Sequence, residues 1–182
     1  MRRKGKIYNE RINHLDVSEK RWFAIYTKYK AEKHIVEQLQ KRKIEAYIPL
    51  LKQVKRYSTK VKTTYIPLIN SYVFVKIDKS QYKDVLSTMH VFEFVKQRYN
   101  LISIPVGEIE LLKKIVGERY NLQIAEEGYA AGDQIEVIAG NLTGLKGRLI
   151  SAKGKQNVLV ELENIGFQFF IEVEKSLIVK RG

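Results

Sequence analysis

The sequence predicts an α+β domain followed by a small all-β barrel, and three features point there. Between residues 21 and 120, apolar runs of strand character alternate with helical stretches in the order β-α-β-β-β-α-β-α, which makes one sheet with helices packed on it. From residue 132 onward, five short β-rich runs are separated by turn formers at a spacing of roughly 8–12 residues, the pattern of a small barrel. Between the two, residues 121–131 (NLQIAEEGYAA) are acidic, small and glycine-containing, and read as a linker. The 182 residues, 45% of them apolar, suffice for a domain of about 100 residues plus a barrel.

Residues 1–20 are polar, basic and weakly periodic, and a flexible tail is expected. Residues 21–27 (RWFAIYT) read as a strand, with Trp22, Ala24 and Tyr26 on one face and Phe23 and Ile25 on the other. An amphipathic helix spans residues 31–43. Ala31, Ile35 and Leu39 recur on its apolar face with Val36, and Glu32, Lys33, Glu37, Lys41 and Arg42 are expected outside. Lys28, Lys30 and Lys33 sit at its start, where cations oppose the helix dipole, a hint that an anion meets them. Residues 44–51 (IEAYIPLL) return as extended chain, with Pro49 marking an edge or a bend. Residues 52–62 (KQVKRYSTKVK) hold five Lys/Arg and one tyrosine but no acid, and read as a basic hairpin tip.

The firmest strand is residues 72–77 (YVFVKI), rich in β-branched and aromatic side chains. Val73, Val75 and Ile77 make an aliphatic core face. Tyr72, Phe74 and Lys76 point the other way, onto a face that is either half covered or fully buried. A short helix follows over residues 78–89, capped by Asp78 or Ser80, with Tyr82, Val85, Leu86 and Met89 on one stripe. Residues 91–95 read as a strand. Pro105 introduces a third helix to about residue 120, lined by Ile109, Leu112 and Val116. The barrel strands are placed at 134–138, 146–153, 157–162, 167–173 and 177–180. Their first connection, VIAGNLTGLKG, is punctuated by glycines 140, 144 and 147. Leu142 and Leu145 stand in that loop as either inward plugs or an exposed docking tip.

Charge is distributed as unevenly as structure. Residues 1–62 hold 18 Lys/Arg against 6 Asp/Glu, a net +12 of the total +13. Residues 130–182 hold 7 against 6. A basic surface attracts phosphate backbones without reading sequence, so the front of the chain is the expected nucleic-acid face. Cysteine is absent, which fits a reducing compartment. No apolar run is long enough to span a membrane, and the basic start lacks an apolar signal region, so a cytoplasmic location is expected. His14, His34 and His90 are scattered without metal-ligand spacing, and no phosphate-cradling or nucleophile-elbow motif occurs. No enzyme, cofactor or metal is expected.

With the residues placed, the chain resembles the NusG family of transcription elongation factors, an N-terminal NGN domain followed by a KOW domain. RWFAIYTKYKAEKHI resembles the family's first strand and helix. PLINSYVFV, residues 67–75, is similar to its P-L-F-P-G-Y-V-F-V, with Ile69-Asn70-Ser71 in place of Phe-Pro-Gly. Gly132-Asp133 and the glycine-punctuated loop after Val137 match the KOW pattern, which ribosomal proteins share. The basic stretch before Arg21 looks more like specialised bacterial paralogs of the RfaH and UpxY kind than general NusG. The resemblance implies domains at 21–120 and 132–182. It implies docking on the RNA polymerase clamp, with contact to non-template or upstream DNA, to suppress pausing or termination. It implies recruitment of a ribosomal protein or Rho through the barrel, by a monomer. On that reading Tyr26, Tyr29, Pro67, Tyr72 and Phe74 are the expected polymerase contacts, some of them core. Lys28, Lys30, Lys33, Lys52, Lys55, Arg56, Lys60 and Lys62 are the expected DNA contacts. Leu142, Leu145, Ile165 and Phe167 are the expected contacts of the barrel's partner. The alternative is a KOW-type RNA-binding or ribosome-associated protein, against which the nearly neutral barrel argues.

Overall fold

The computed structural model describes residues 11–117, 122–124, 132–139, 143–152, 155–162, 167–172 and 177–180. Its first part is a four-stranded antiparallel sheet built from β1 (Arg21–Thr27), β2 (Glu45–Tyr47), β5 (Tyr72–Ile77) and β6 (Val91–Phe94), in the order β2-β5-β1-β6. Between β2 and β5 a separate hairpin is made by β3 (Leu50–Arg56) and β4 (Val61–Pro67). The expected extended run 44–51 therefore breaks in two. Pro49 lacks an N–H for a ladder and holds Ile48 extended, and its carbonyl accepts from Leu68 N–H at 2.8 Å where the hairpin closes. The hairpin strands run on through Arg56 and resume at Val61, so only the turn 57–60 is tip, closed by Tyr57 N–H donating to the Lys60 carbonyl at 2.8 Å.

Both faces of the sheet are buried. Phe23, Ile25, Val73, Val75, Ile77 and Phe94 form one face, covered by α1 (Glu32–Lys41) and α2 (Tyr82–Leu86) through Ile35, Leu39 and Val85. Trp22, Ala24 and Phe74 form the other, covered by Ile109 and Leu112 of α3 (Val106–Gly117) together with Leu68 and Ile69. Alternation along β5 thus feeds two cores, as a central strand requires.

Several boundaries differ from the expectation for local reasons. Helix α1 stops at Lys41 because Lys43 takes a left-handed φ of 60° and Ile44 N–H turns back to the Leu39 carbonyl. Helix α2 is five residues, not twelve. Asp78 Oδ1 accepts from Ser80 and Gln81 N–H and holds a turn before it. The Ser87 and Thr88 hydroxyls then bond back to the Asp84 carbonyl, competing with helix continuation. Met89, expected on its apolar stripe, is exposed. Along α3, Ile115 rather than Val116 completes the fully buried set with Ile109 and Leu112. Within the expected flexible tail, residues 12–14 run beside Leu101, with Leu101 N–H to the Ile12 carbonyl at 3.0 Å and His14 N–H to the Leu101 carbonyl at 2.9 Å.

The C-terminal strands are β7 (Leu122–Ile124), β8 (Gln134–Val137), β9 (Lys146–Ala152), β10 (Lys155–Leu162), β11 (Phe167–Glu172) and β12 (Ile178–Lys180). They make one antiparallel sheet in the order β12-β8-β9-β10-β11-β7. Five match the expected strands closely. The sixth, β7, lies inside the expected linker and pairs with β11. Ile135, Val137, Leu145 and Ile171 form a small core joined by Ile115 of α3.

Candidate nucleic-acid and polymerase interface

One end of the four-stranded sheet carries a cluster of rings. Tyr26, next to last in β1, lies opposite Tyr72, the first residue of β5, with ring centroids 5.7 Å apart and edge to face. Phe92 brings a third ring 5.9 Å from Tyr26. Tyr26 and Phe92 are 42% and 59% exposed, so two large apolar surfaces face solvent side by side. Burial, and then the neighbouring Tyr26 phenol, push the Tyr72 hydroxyl above its ordinary range. Tyr29 stands in the following turn, also exposed, with Lys30 Nζ 5.2 Å from its ring centroid.

Phe92 is absent from the sequence-based site. Alternation along VFEF places it beside Phe94, which is buried in the core. The β1–β6 register explains its release: Tyr26 opposes Glu93 and Thr27 opposes Val91, so a bulge leaves Phe92 as the extra residue. A bulge re-aims a side chain and twists the strand, and here it sends the ring to Tyr26. The signal in the sequence is indirect: two aromatics in a four-residue strand of which one core can absorb only one.

The other expected polymerase contacts divide. Phe74 is fully buried and belongs to the core behind the cluster, so it is corrected from contact to support. The reason is α3, whose Ile109 and Leu112 close that face of the sheet. Pro67 is half-buried at the end of β4 opposite Leu50, in the hairpin.

The expected cations also divide. Lys28 and Lys30 are exposed in the turn between β1 and α1, Lys30 with a left-handed φ of 65°. Lys33 donates from Nζ to the Tyr65 carbonyl at 2.5 Å, tying α1 to the hairpin. Lys52, Lys55, Arg56, Lys60 and Lys62 are all exposed on the hairpin. The register puts Lys55 directly opposite Lys62, while strand alternation carries Lys52 and Arg56 to the opposite face. Two lysines facing each other across a ladder repel, a cost an approaching polyanion removes. Tyr57 and Tyr65 lie exposed among them.

Of the expected C-terminal partner contacts, Leu145 is buried with Ile135 and Val137, which corrects it from partner contact to core residue. Phe167 opens β11 opposite Leu162, and Leu142 and Ile165 lie outside the described residues. Among the described residues no group of three or more His, Asp or Glu is placed to hold a metal ion, and no helix is long and apolar enough to cross a membrane.

A family model described as transcription termination factor nusG matches residues 20–113, just over half of the chain. The chain belongs to the NusG family. This is a family of transcription factors that are not enzymes. The match covers β1 through most of α3, and so every element that carries the ring cluster and the hairpin. A solved structure described as "Domain interaction in Thermotoga maritima NusG" superposes with a TM-score of 0.53 at 18% identity, covering 90% of this chain and 98% of that one. At that identity it supports the fold alone. Two conformations of an MjSpt4:Spt5 complex match at 21% and 22% identity, covering 88% and 85% of this chain and 98% and 99% of theirs. Their TM-scores of 0.30 and 0.31 carry no argument. A search of curated protein sequences gives no match.

Proposed function

We propose that this NusG-family chain is a cytoplasmic transcription elongation and antitermination factor. It binds the RNA polymerase clamp through Tyr26, Tyr72 and Phe92, with Tyr29 at the rim. Its cationic hairpin lies against non-template or upstream DNA, and so bridges the transcribing complex and suppresses pausing or termination. The C-terminal sheet, read as a KOW barrel, recruits a second protein such as a ribosomal protein or Rho.

The observation that carries the reading is the exposed ring cluster at the sheet end of a chain with a NusG family match. Clustered aromatics are where interface energy concentrates once water is excluded. The nearly neutral C-terminal residues, 7 Lys/Arg against 6 Asp/Glu in 130–182, favour a protein over an RNA partner there. The test is capture of purified core RNA polymerase by wild type, Tyr72→Ala and Phe92→Ala, beside ribosome co-sedimentation. Each variant is expected to lose roughly 30-fold or more in polymerase affinity, the equivalent of about 2 kcal/mol. Phe92→Ala should also keep a normal melting curve, because that ring is exposed. Retained polymerase affinity in both variants, or co-sedimentation with ribosomes in the absence of polymerase capture, overturns the reading.

A further inference from the structure

We propose that the opposite end of the same sheet carries a second nucleic-acid site, a cleft that takes a phosphate-and-base unit of a single strand. This inference stands whether or not the ring cluster docks on polymerase. Tyr26 pairs with Tyr72 at one end of the β1–β5 ladder and Arg21 with Ile77 at the other. Five residue steps separate them, about 17 Å at about 3.4 Å per residue. Beyond Ile77, a cleft of about 630 Å³ opens between residues 11–15, the start of α2 and the turn after β6. That volume is in the range of roughly 300–1,000 Å³ typical of sites for molecules of nucleotide size.

The lining combines charge and rings. Arg11, Lys79, Lys83 and Lys96 converge on it, and the described residues of the lining include no carboxylate. Among the described residues no ion pair engages any of the four cations. The nearby Asp78 carboxylate accepts from the Ser80 N–H and hydroxyl and stands outside that lining. Four cations in one concavity raise the local concentration of anions, phosphate above all.

The two rings are Tyr82 and Tyr99. Tyr82 stacks on Phe94 at 4.6 Å and 16°, which fixes it in the cleft wall. Tyr99 is 76% exposed and contributes nothing to the core. It is nonetheless held: its turn is closed by Gln97 N–H to the Asn100 carbonyl and Asn100 N–H to the Gln97 carbonyl, both 3.0 Å. Asn100 Oδ1 in turn accepts from Ile12 N–H at 3.0 Å, which pins the chain next to Arg11, and the Arg11 guanidinium lies 5.7 Å from the Tyr99 ring centroid. A preorganised exposed ring with a guanidinium over it and lysines around it is a stacking platform with phosphate contacts. A base already stacked within a duplex cannot offer its face to such a ring, so the ligand is single-stranded.

The test is fluorescence anisotropy of full-length protein with a labelled twelve-nucleotide RNA, the matching DNA, and a duplex of the same length. Tyr99→Ala, the double variant Lys79→Ala/Lys83→Ala and the hairpin double variant Lys55→Ala/Lys62→Ala are compared, with melting curves as controls. Wild type is expected to bind the single strands more tightly than the duplex, and the stronger of the RNA and DNA arms names the strand. Tyr99→Ala is expected to weaken single-strand binding about tenfold. The lysine pair is expected to lower the slope of log affinity against log salt by about 1.4, at about 0.7 per phosphate contact. Preference for the duplex that persists in Lys55→Ala/Lys62→Ala overturns the proposal. So does a loss confined to the hairpin variant, with Tyr99→Ala and Lys79→Ala/Lys83→Ala binding single strands as wild type.

Discussion

Glu32 Oε1 accepts a hydrogen bond from the Ser71 backbone N–H at 2.7 Å, and both residues are buried. The Ser71 carbonyl in turn accepts from Thr27 N–H at 2.8 Å. The turn into β5 is thus held by the start of α1 on one side and the end of β1 on the other. Tyr72 follows directly, so this contact sets where the ring cluster stands.

Glu32→Ala removes the carboxylate partner of the buried Ser71 N–H, at a position where Glu32 is only 2% exposed. A buried donor that loses its partner costs about 1–3 kcal/mol. Urea unfolding is expected to show that loss. Glu32→Gln, which keeps an acceptor oxygen, is expected to recover most of it.

Ser71 takes φ 63°, a left-handed conformation that strains any residue with a Cβ. Ser71→Gly relieves that strain at the cost of a looser unfolded chain. A net gain of about 0.5–1 kcal/mol is expected by thermal melting. Polymerase capture should be unchanged, because the turn keeps its backbone bonds.

Lys62→Glu turns a repulsive cross-strand pair with Lys55 into an attractive one. Stability is expected to hold or to rise by about 0.2–1 kcal/mol. Binding to duplex DNA at low salt should fall and its salt slope should flatten. The opposite signs of the two effects separate a functional charge from a structural one.

Asp16 Oδ1 accepts from the Ser18 and Glu19 N–H groups and the Ser18 hydroxyl, and these bonds, led by Ser18 N–H, bring its carboxyl down to about 2. A carboxyl lowered by folding contributes stability above its unfolded value near 4, and that contribution fades as pH falls towards 2. Asp16→Asn is expected to melt below wild type at pH 6. The gap should narrow between pH 4 and pH 2, and a gap independent of pH would remove the carboxylate from the account.

Much of this was legible locally. Val73, Val75 and Ile77 alternate with Phe74, and that period implies a strand with one aliphatic core face, while the second core at Phe74 follows from Ile109 and Leu112 of α3. Ile35 and Leu39 mark the buried stripe of α1, and Pro49 marks the break between β2 and β3. The five C-terminal strands follow from turn residues and β-branched runs. The site was less legible. Glu32 reads as solvent-facing on a helical wheel, yet it is buried, because what covers it is a turn 39 residues away. Phe74 reads like Tyr72, its neighbour on the same strand face, until α3 closes over one and leaves the other at the rim.

The chain by itself determined element types, the division of charge and the family pattern, because periodicity, turn chemistry and composition act over a few residues. Tertiary structure alone decided which rings face water, which hairpin lysines oppose each other, and that residues 11–15 close a basic cleft with Lys79, Lys83 and Lys96. Those outcomes depend on strand register, on one bulge at Phe92 and on pairings between distant segments, and no local pattern encodes the partner a side chain will meet.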